Sequence, residues 1–533
     1  MSFIISKTLH TRTLILFVSL FLVLFTNGAF FKHVLQVYPL TLASAPMIAS
    51  LGVVLMSVIV VVFTLFSSRF IVKPFLILVL LLSSLVAYFM SSYDIVVDPH
   101  MIQNILETNI NESTDLFSIQ QVLYFLILGV FPSILVYKVK IKPVTVKQAI
   151  IEGAQSIGIS LGLIVVIIFS FSKFYTSFFR ENVSLRFCTN PTFYLYSIGE
   201  YIGKSFSHET TGLKIIGQDA HVMGNDGHRK LVILVVGEAV RADHFSLNGY
   251  ARETTPLLKK EDVINFPHFT SSGTETAVSV PCMFSCSGRE DYDKDIALHT
   301  ENALDVLGHA GVNILWRDNN SDSKGVAVRV AYEDYKTSDK NTMCEDGECR
   351  DEGMLVGLQE YIDAHPKGDI VIVLHQMGNH GPAYYKRYPK AFEKFTPVCQ
   401  TNQLEQCSKE EITNAYDNAL LYTDYFLSKT ITFLKGNDEK FETAMFYLSD
   451  HGESLGENGL YLHGFPYAIA PDAQKHVPAV MWFGKQSKIN KAVLKRRAIE
   501  PYTHDYLFHT MLGLIEVNSS VYRSELDILK GAR

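Results

Sequence analysis

The stretch Ala444-Met-Phe-Tyr-Leu448-Ser-Asp450-His451-Gly452-Glu453-Ser454-Leu-Gly-Glu457 decides the fold of this chain. An apolar run stops abruptly at Asp-His-Gly-Glu. It reads as a buried parallel strand that empties into a loop. In open α/β sheets, chemistry gathers just beyond the carboxyl ends of the strands. An Asp and a His side by side there can ligate a metal, act as an acid/base pair, or only turn the chain. Partners from elsewhere in the sequence decide among these.

Such partners exist. Residues 231–238 are Val/Ile-rich and end at Gly237-Glu238. Residues 312–318 run into Asn-Asn-Ser321-Asp-Ser-Lys324, and residues 369–375 end at His375-Gln-Met-Gly-Asn-His380-Gly. Residues 476–483 read as a further strand, with Pro478 marking it as an edge. Helical patterns fill 300–310, 350–364 and 412–434. This alternation implies a mostly parallel sheet with helices on both faces. Strand ends carrying Glu238, Lys324, His375, His380, Asp450 and His451 can then share one sheet edge, which favours a site over a turn.

Between the first two strands lies Ser272-Gly-Thr274-Glu-Thr276-Ala-Val-Ser279. Hydroxyl residues before an apolar run are what a capped helix start needs. The same geometry suits phosphate, because free N–H groups and the positive dipole end face the hydroxyl. A nearby metal would make that hydroxyl a nucleophile. Carboxylates, one His and a hydroxyl point to a Zn²⁺ site of this mixed kind more than to a thiolate-type structural site, and Mg²⁺ or Mn²⁺ fit nearly as well.

The 533-residue chain exceeds one ordinary domain, and its net charge of −7 gives no support for nucleic-acid binding. Its first third is far more apolar than the rest. Five runs, 14–31, 47–66, 74–90, 119–137 and 154–171, have spanning length. Basic residues precede the first run (Lys7, Arg12), separate the second from the third (Arg69, Lys73), and separate the fourth from the fifth (Lys138, Lys140, Lys142, Lys147). Those segments are expected on the cytoplasmic side. The acidic segment between the third and fourth runs, and everything after residue 175, then face outward. Within 99–115, an interfacial helix would align Asn104, Thr108 and Glu112 on one face, as a polar site or as solvated positions. The expected domains are 1–175 in the membrane, 176–217 as a bridging segment on the headgroup surface, and 218–533 as the outward catalytic domain. Six of the seven cysteines follow residue 280, which suits an oxidising compartment.

Gly237-Glu238, Gly273-Thr-Glu-Thr276-Ala, Asp318-Asn-Asn-Ser-Asp-Ser-Lys324-Gly, His375-Gln-Met-Gly-Asn-His380-Gly-Pro and Ser449-Asp-His451-Gly-Glu-Ser-Leu-Gly-Glu457 together resemble the lipid A phosphoethanolamine transferases. That family includes the mobile colistin-resistance enzymes. The resemblance covers nearly the whole chain and implies an alkaline-phosphatase/sulfatase fold behind five transmembrane helices. It implies Thr276 as nucleophile and zinc ligand, with Glu238, Asp450 and His451 completing the Zn²⁺ set. Lys324, His380 and His463 match positions that hold phosphoethanolamine or assist proton transfer, and His375 lies beside them. Asn104, Thr108, Glu112 and Ser321 match lipid-substrate contacts. Glu453 and Glu457 shape the loop carrying His463. The implied reaction moves phosphoethanolamine from phosphatidylethanolamine to a lipid A phosphate through a covalent threonine intermediate, giving polymyxin resistance. The implied setting is a Gram-negative inner membrane with the catalytic domain in the periplasm, and a monomer is expected.

One stretch departs from the family pattern. Ser271 and Ser272 stand where the family usually has a Cys that pairs with the one at Cys282, and an extra Cys286 follows. A strained Cys282–Cys286 bridge is conceivable. Cys344–Cys349 and Cys399–Cys407 read as short-loop bridges, and the pairing of Cys188 stays open. Two enzymes of the same fold fit less well. A sulfatase needs a Cys/Ser-x-Pro-x-Arg motif, and Ser279-Val-Pro-Cys-Met283 has Met where Arg is required. A phosphoglycerol transferase of the lipoteichoic acid type shares the threonine, metal and spans, but not the Asp-Asn-Asn-Ser-Asp-Ser-Lys and His-Gln-Met-Gly-Asn-His stretches. A transporter or sensor with a dead domain would want charges at the centre of its spans, and these have none.

Overall fold

The computed structural model describes residues 8–533 except 43, 94, 100, 103–104, 106–116, 173, 176–177, 179–182, 208–211, 225–226 and 346. Asn104, Thr108 and Glu112 lie outside the described residues. The chain divides into two compact units, one within the first 207 residues and one taking in all that follows.

The first unit is helical. Helices α1 (Thr11–Phe25), α2 (Gly28–Val37), α3 (Ala45–Leu65), α4 (Val72–Tyr93), α5 (Ile119–Lys138) and α6 (Val146–Ser170) follow in order. Four are long and apolar enough to cross a bilayer, and α1 with α2 makes a fifth span if that bent pair counts as one. The sequence suggested one continuous span over 14–31; the structure breaks it with a 55° bend. Thr26 Oγ1 donates to Leu22 O at 2.8 Å, and Asn27 Nδ2 to the same carbonyl at 3.0 Å. Asn27 also donates to Asn190 O (2.6 Å) and accepts from Asn190 N (2.9 Å). These side chains take up backbone groups that the helix would otherwise use, so it stops and restarts at Gly28.

The main sheet of the second unit has eight strands: β1 (Arg229–Gly237), β2 (Ile264–Thr270), β3 (Asn313–Asp318), β4 (Ala331–Asp334), β5 (Ile370–His375), β6 (Phe441–Ser449), β7 (His476–Phe483) and β8 (Tyr502–Thr503). They form one sheet in the order β8-β2-β7-β6-β1-β5-β3-β4. All pairs are parallel except those of β7. Alternate residues of β1 face opposite cores. Val232, Leu234 and Val236 pack with Phe266 and Trp316. Leu231, Ile233 and Val235 pack with Leu420, Phe426 and Ile431 from the helix Lys409–Lys435. Burial on both faces is why β1 lacks polar alternation.

The edge assignment for residues 476–483 is corrected. β7 pairs with β2 on one side and β6 on the other. Pro478 falls where the register shifts between Val477 and Ala479, so its missing N–H interrupts no ladder bond. Disulfides close Cys344–Cys349 and Cys399–Cys407 as expected. Cys282 and Cys286 remain thiols, so the conceivable bridge between them is not made.

Candidate active site

Register brings the strand ends together. Gly237 of β1 lies opposite Ser449 of β6, Val236 opposite His375 of β5, and His375 opposite Asp318 of β3. The four central parallel strands therefore finish on one line. Each hands its next residues to the same edge of the sheet. β2 delivers the loop 271–275 there too, followed by the helix Thr276–Phe284, which starts at Thr276.

Four side chains meet at that edge. Thr276 Oγ1 is 3.0 Å from Glu238 Oε2 and 3.4 Å from His451 Nε2. His451 Nε2 is 3.2 Å from Glu238 Oε1 and 3.5 Å from Asp450 Oδ2. Glu238, Asp450 and His451 are wholly buried. His451 Nδ1 donates to Gly452 O at 2.8 Å, which leaves the Nε2 lone pair facing the carboxylates. Among the described residues, Glu238 Oε1 and Asp450 Oδ2 are buried without a hydrogen-bond partner. Buried carboxylate oxygens without donors are costly unless a cation meets them. The donor set of two carboxylates, an imidazole and a hydroxyl thus fits a divalent metal, with Zn²⁺ suited to the mixture.

The electrostatics point the same way. Burial lifts Asp450, and the neighbouring Glu238 charge lifts it further, to about 6. Burial works against a charged His451, yet Asp450 and Glu238 together draw it up to about 10. Burial likewise penalises Glu238, but the positive His451 outweighs this and holds it well below the usual carboxylate range. The cluster carries more negative charge than its own groups neutralise.

His463 stands closer than a substrate contact need be. One ligand atom each from Glu238, His451 and His463 lie within 4.8 Å of one another. The His463 ring centroid is 4.3 Å from that of His451 and 5.7 Å from that of His380. Glu453, which is buried, pairs its Oε2 with His463 Nδ1 at 2.9 Å and accepts Tyr384 OH at Oε1 (2.8 Å). Glu457 accepts from Arg241 at 2.7 Å. The two loop glutamates therefore have separate partners, and only Glu453 reaches the histidine.

His375 is wholly buried at the end of β5, not in contact position on a surface. Its Nδ1 meets Asp318 Oδ2 at 2.8 Å, and its ring stands edge-on to Trp316. At that strand end His375 thus forms a buried pair with Asp318. Lys324 and Ser321 lie half-buried in the loop after β3, Lys324 with a left-handed backbone (φ 51°). Asn320 of that loop touches the cluster: its Nδ2 donates to Glu238 Oε2 at 2.8 Å and to Gln376 O at 2.7 Å. Gly378 (φ 49°) lets the loop after β5 press on Glu238. An added Cβ would sit 2.9 Å from Glu238 O.

His504 ties the two halves together. Ser272 N donates to its Nδ1 at 3.1 Å, so Nε2 carries the proton and donates to Ser449 O at 3.0 Å. Burial pulls His504 down to about 3. A depressed histidine contributes stability in full above its unfolded value near 6.5 and loses it as pH falls toward 3. The second unit should weaken across that window by at most roughly 5 kcal/mol. Both tryptophans, Trp316 and Trp482, lie in the sheet, so urea midpoints read by fluorescence report this unit alone. His504→Gln should flatten the acid limb; an unchanged slope rejects the assignment.

The chain matches two family descriptions: Sulfatase over residues 230–517, and Phosphoethanolamine transferase EptA/EptB over residues 55–206. It is 45% identical over 514 residues to phosphatidylethanolamine transferase Mcr-2 of Escherichia coli, covering 94% of each chain. The solved integral membrane lipooligosaccharide phosphoethanolamine transferase A of Neisseria meningitidis superposes with a TM-score of 0.95 at 37% identity, covering 99% of this chain and 100% of that one. The C-terminal periplasmic domain of phosphoethanolamine transferase EptC from Campylobacter jejuni superposes at TM-score 0.54 and 45% identity, covering 60% of this chain and 98% of that one.

Proposed function

This chain belongs to the EptA/EptB phosphoethanolamine transferases, and from that premise we propose that it moves phosphoethanolamine from phosphatidylethanolamine to a phosphate of lipid A by way of Thr276. The observation that carries the reading is the Thr276 hydroxyl at a helix start, within 3.0 Å of Glu238 and 3.4 Å of His451.

Zn²⁺ held by Glu238, Asp450, His451 and Thr276 would supply Lewis acidity and lower the hydroxyl's pKa. Thr276 Oγ attacks the donor phosphorus; the Oγ–P bond forms as the bond to diacylglycerol breaks. His380 or His463 gives the departing alkoxide its proton. The helix N–H groups and Lys324 face the phosphoryl oxygens that gain charge. In the second half, a lipid A phosphate oxygen attacks the phosphothreonine, and Thr276 leaves. Ser321 and, in the segment outside the described residues, Asn104, Thr108 and Glu112 would hold the lipid substrate. The added amine lowers the negative surface charge that polymyxins seek.

The proposed setting is a Gram-negative inner membrane. Residues 1–175 would span it, 176–217 bridge along its surface, and 218–533 work in the periplasm. The acidic outward segment and the basic loops support that orientation. The deciding experiment is a lipid A mass spectrum with and without expression of the chain. The expected result is an added phosphoethanolamine; an unmodified lipid A from an expressed, folded, metal-loaded protein rejects the acceptor.

Glu453 is the positioning residue in this scheme. With its Oε2 on His463 Nδ1, the opposite ring nitrogen is presented to the cluster. Glu453→Gln should lower transfer about 10–100-fold, the usual cost of a lost supporting partner. The alkaline or acid limb of the pH–rate profile should shift with it. A variant with normal kcat and an unmoved profile would show that His463 needs no such support.

A further inference from the structure

The first unit contains a cavity of about 820 Å³ that the transfer reaction does not use. It lies where α1 and α6 begin and α3 ends, walled by aliphatic side chains such as Ile15, Ile150 and Ile157. Three cations also line it: Arg12, Arg69 and Lys142. Among the described residues none of the three is ion-paired with a carboxylate. Arg69 lies over the Phe70 ring at 4.5 Å, and Lys142 Nζ is 3.4 Å from His10 Nε2. The one carboxylate in the lining, Glu152, is engaged by His10 Nδ1 (3.3 Å) and Gln148 Nε2 (3.0 Å) and also feels the Arg12 charge, so it offsets part of the positive rim.

A largely apolar cleft rimmed by three cations against a single carboxylate keeps an excess of positive charge and suits a ligand that is apolar at one end and anionic at the other. We propose that this cavity binds an anionic phospholipid, its phosphate against Arg12, Arg69 and Lys142 and the upper part of an acyl chain between α1, α3 and α6. Basic pockets between membrane helices on the cytoplasmic side are the kind of place such headgroups settle. The basic loops make this the end of the unit expected to face the cytoplasm. A zwitterionic headgroup brings its own ammonium into a cationic rim. A free phosphate leaves the aliphatic wall uncovered. The volume suits a headgroup and part of a chain, within the range of small-molecule sites.

The lipid would also do structural work. Helix α6 is 25 residues long, yet Ser160 is its one residue described as buried. Helix α6 packs on α3, and a chain lodged beside Ile150 and Ile157 would add apolar contact along its remaining open face.

The test is native mass spectrometry of the full chain in detergent, titrated with phosphatidylglycerol or phosphatidylcholine. One phosphatidylglycerol should stay bound per chain, with phosphatidylcholine bound far more weakly. Arg69→Gln and Lys142→Gln should each weaken phosphatidylglycerol roughly fivefold. Ala149→Trp, which fills the cavity and keeps every cation, should abolish the bound lipid. It reads the proposal independently should a charge variant not fold. Equal retention of phosphatidylcholine overturns the proposal. So does phosphatidylglycerol binding untouched by all three variants, or its displacement by inorganic phosphate, which would mark a free-anion site instead.

Discussion

Thr276→Ala should leave a folded protein that takes up no phosphoethanolamine. Thr276 is almost wholly buried, and its hydroxyl contacts are Glu238 and His451, so the substitution removes an oxygen without opening a large cavity. Loss of a nucleophile that acts as one unit with its activating groups costs on the order of a thousandfold or more. Wild type incubated with phosphatidylethanolamine and no acceptor should gain the mass of one phosphoethanolamine on the peptide carrying Thr276; the alanine variant should gain none. Thr276→Ser, which keeps the oxygen, should recover both adduct and some turnover. An adduct at full level on Thr276→Ala places the nucleophile elsewhere.

Glu238→Ala should strip the site of metal. Glu238 supplies one donorless carboxylate oxygen and holds Thr276 and Asn320 with the other. Its removal deletes a ligand and the charge that balances a dication, and it frees Thr276 to rotate. Elemental analysis should show bound zinc falling from near one per chain in wild type to a small fraction, as expected when a site with few protein ligands loses one. Transfer should fall below detection. Chelation of wild type should copy the variant's loss, and added zinc should restore wild type but not Glu238→Ala. A variant that keeps its metal in full takes Glu238 out of the ligand set. Restoration of wild type by magnesium as well as by zinc keeps the site and changes the ion.

The central strands were legible because each is a buried parallel run that ends abruptly in polar residues, as at Gly237-Glu238 and Ser449-Asp450. β2 was not legible: Ile264-Asn-Phe-Pro-His-Phe-Thr270 mixes polar residues and a proline into its pattern. β4 is short and partly exposed, and β8 has only two residues, too few for any period to show. Pro478 misled because the link between proline and edge strands ignores bulges, which absorb a missing N–H in a central strand. The break at Thr26-Asn27 was hidden because the surrounding composition is uniformly apolar and the partner, Asn190, lies far along the chain. Glu238, Thr276, Asp450 and His451, which the structure brings together, could be picked out from their motifs. Pairs such as Asp318–His375 and Glu453–His463 were not, because sequence alone does not say which strands lie side by side.

The proposed ligand set is split among the end of β1, the helix start at Thr276 and the end of β6, with much of the sheet's chain in between. A protein threaded outward from its N-terminus presents Glu238 early and Asp450 with His451 late. A chain exported only as far as β5 therefore lacks Asp450 and His451. On the proposed ligand set, metal loading would wait until β6 pairs with β1, and activation of Thr276 would wait with it.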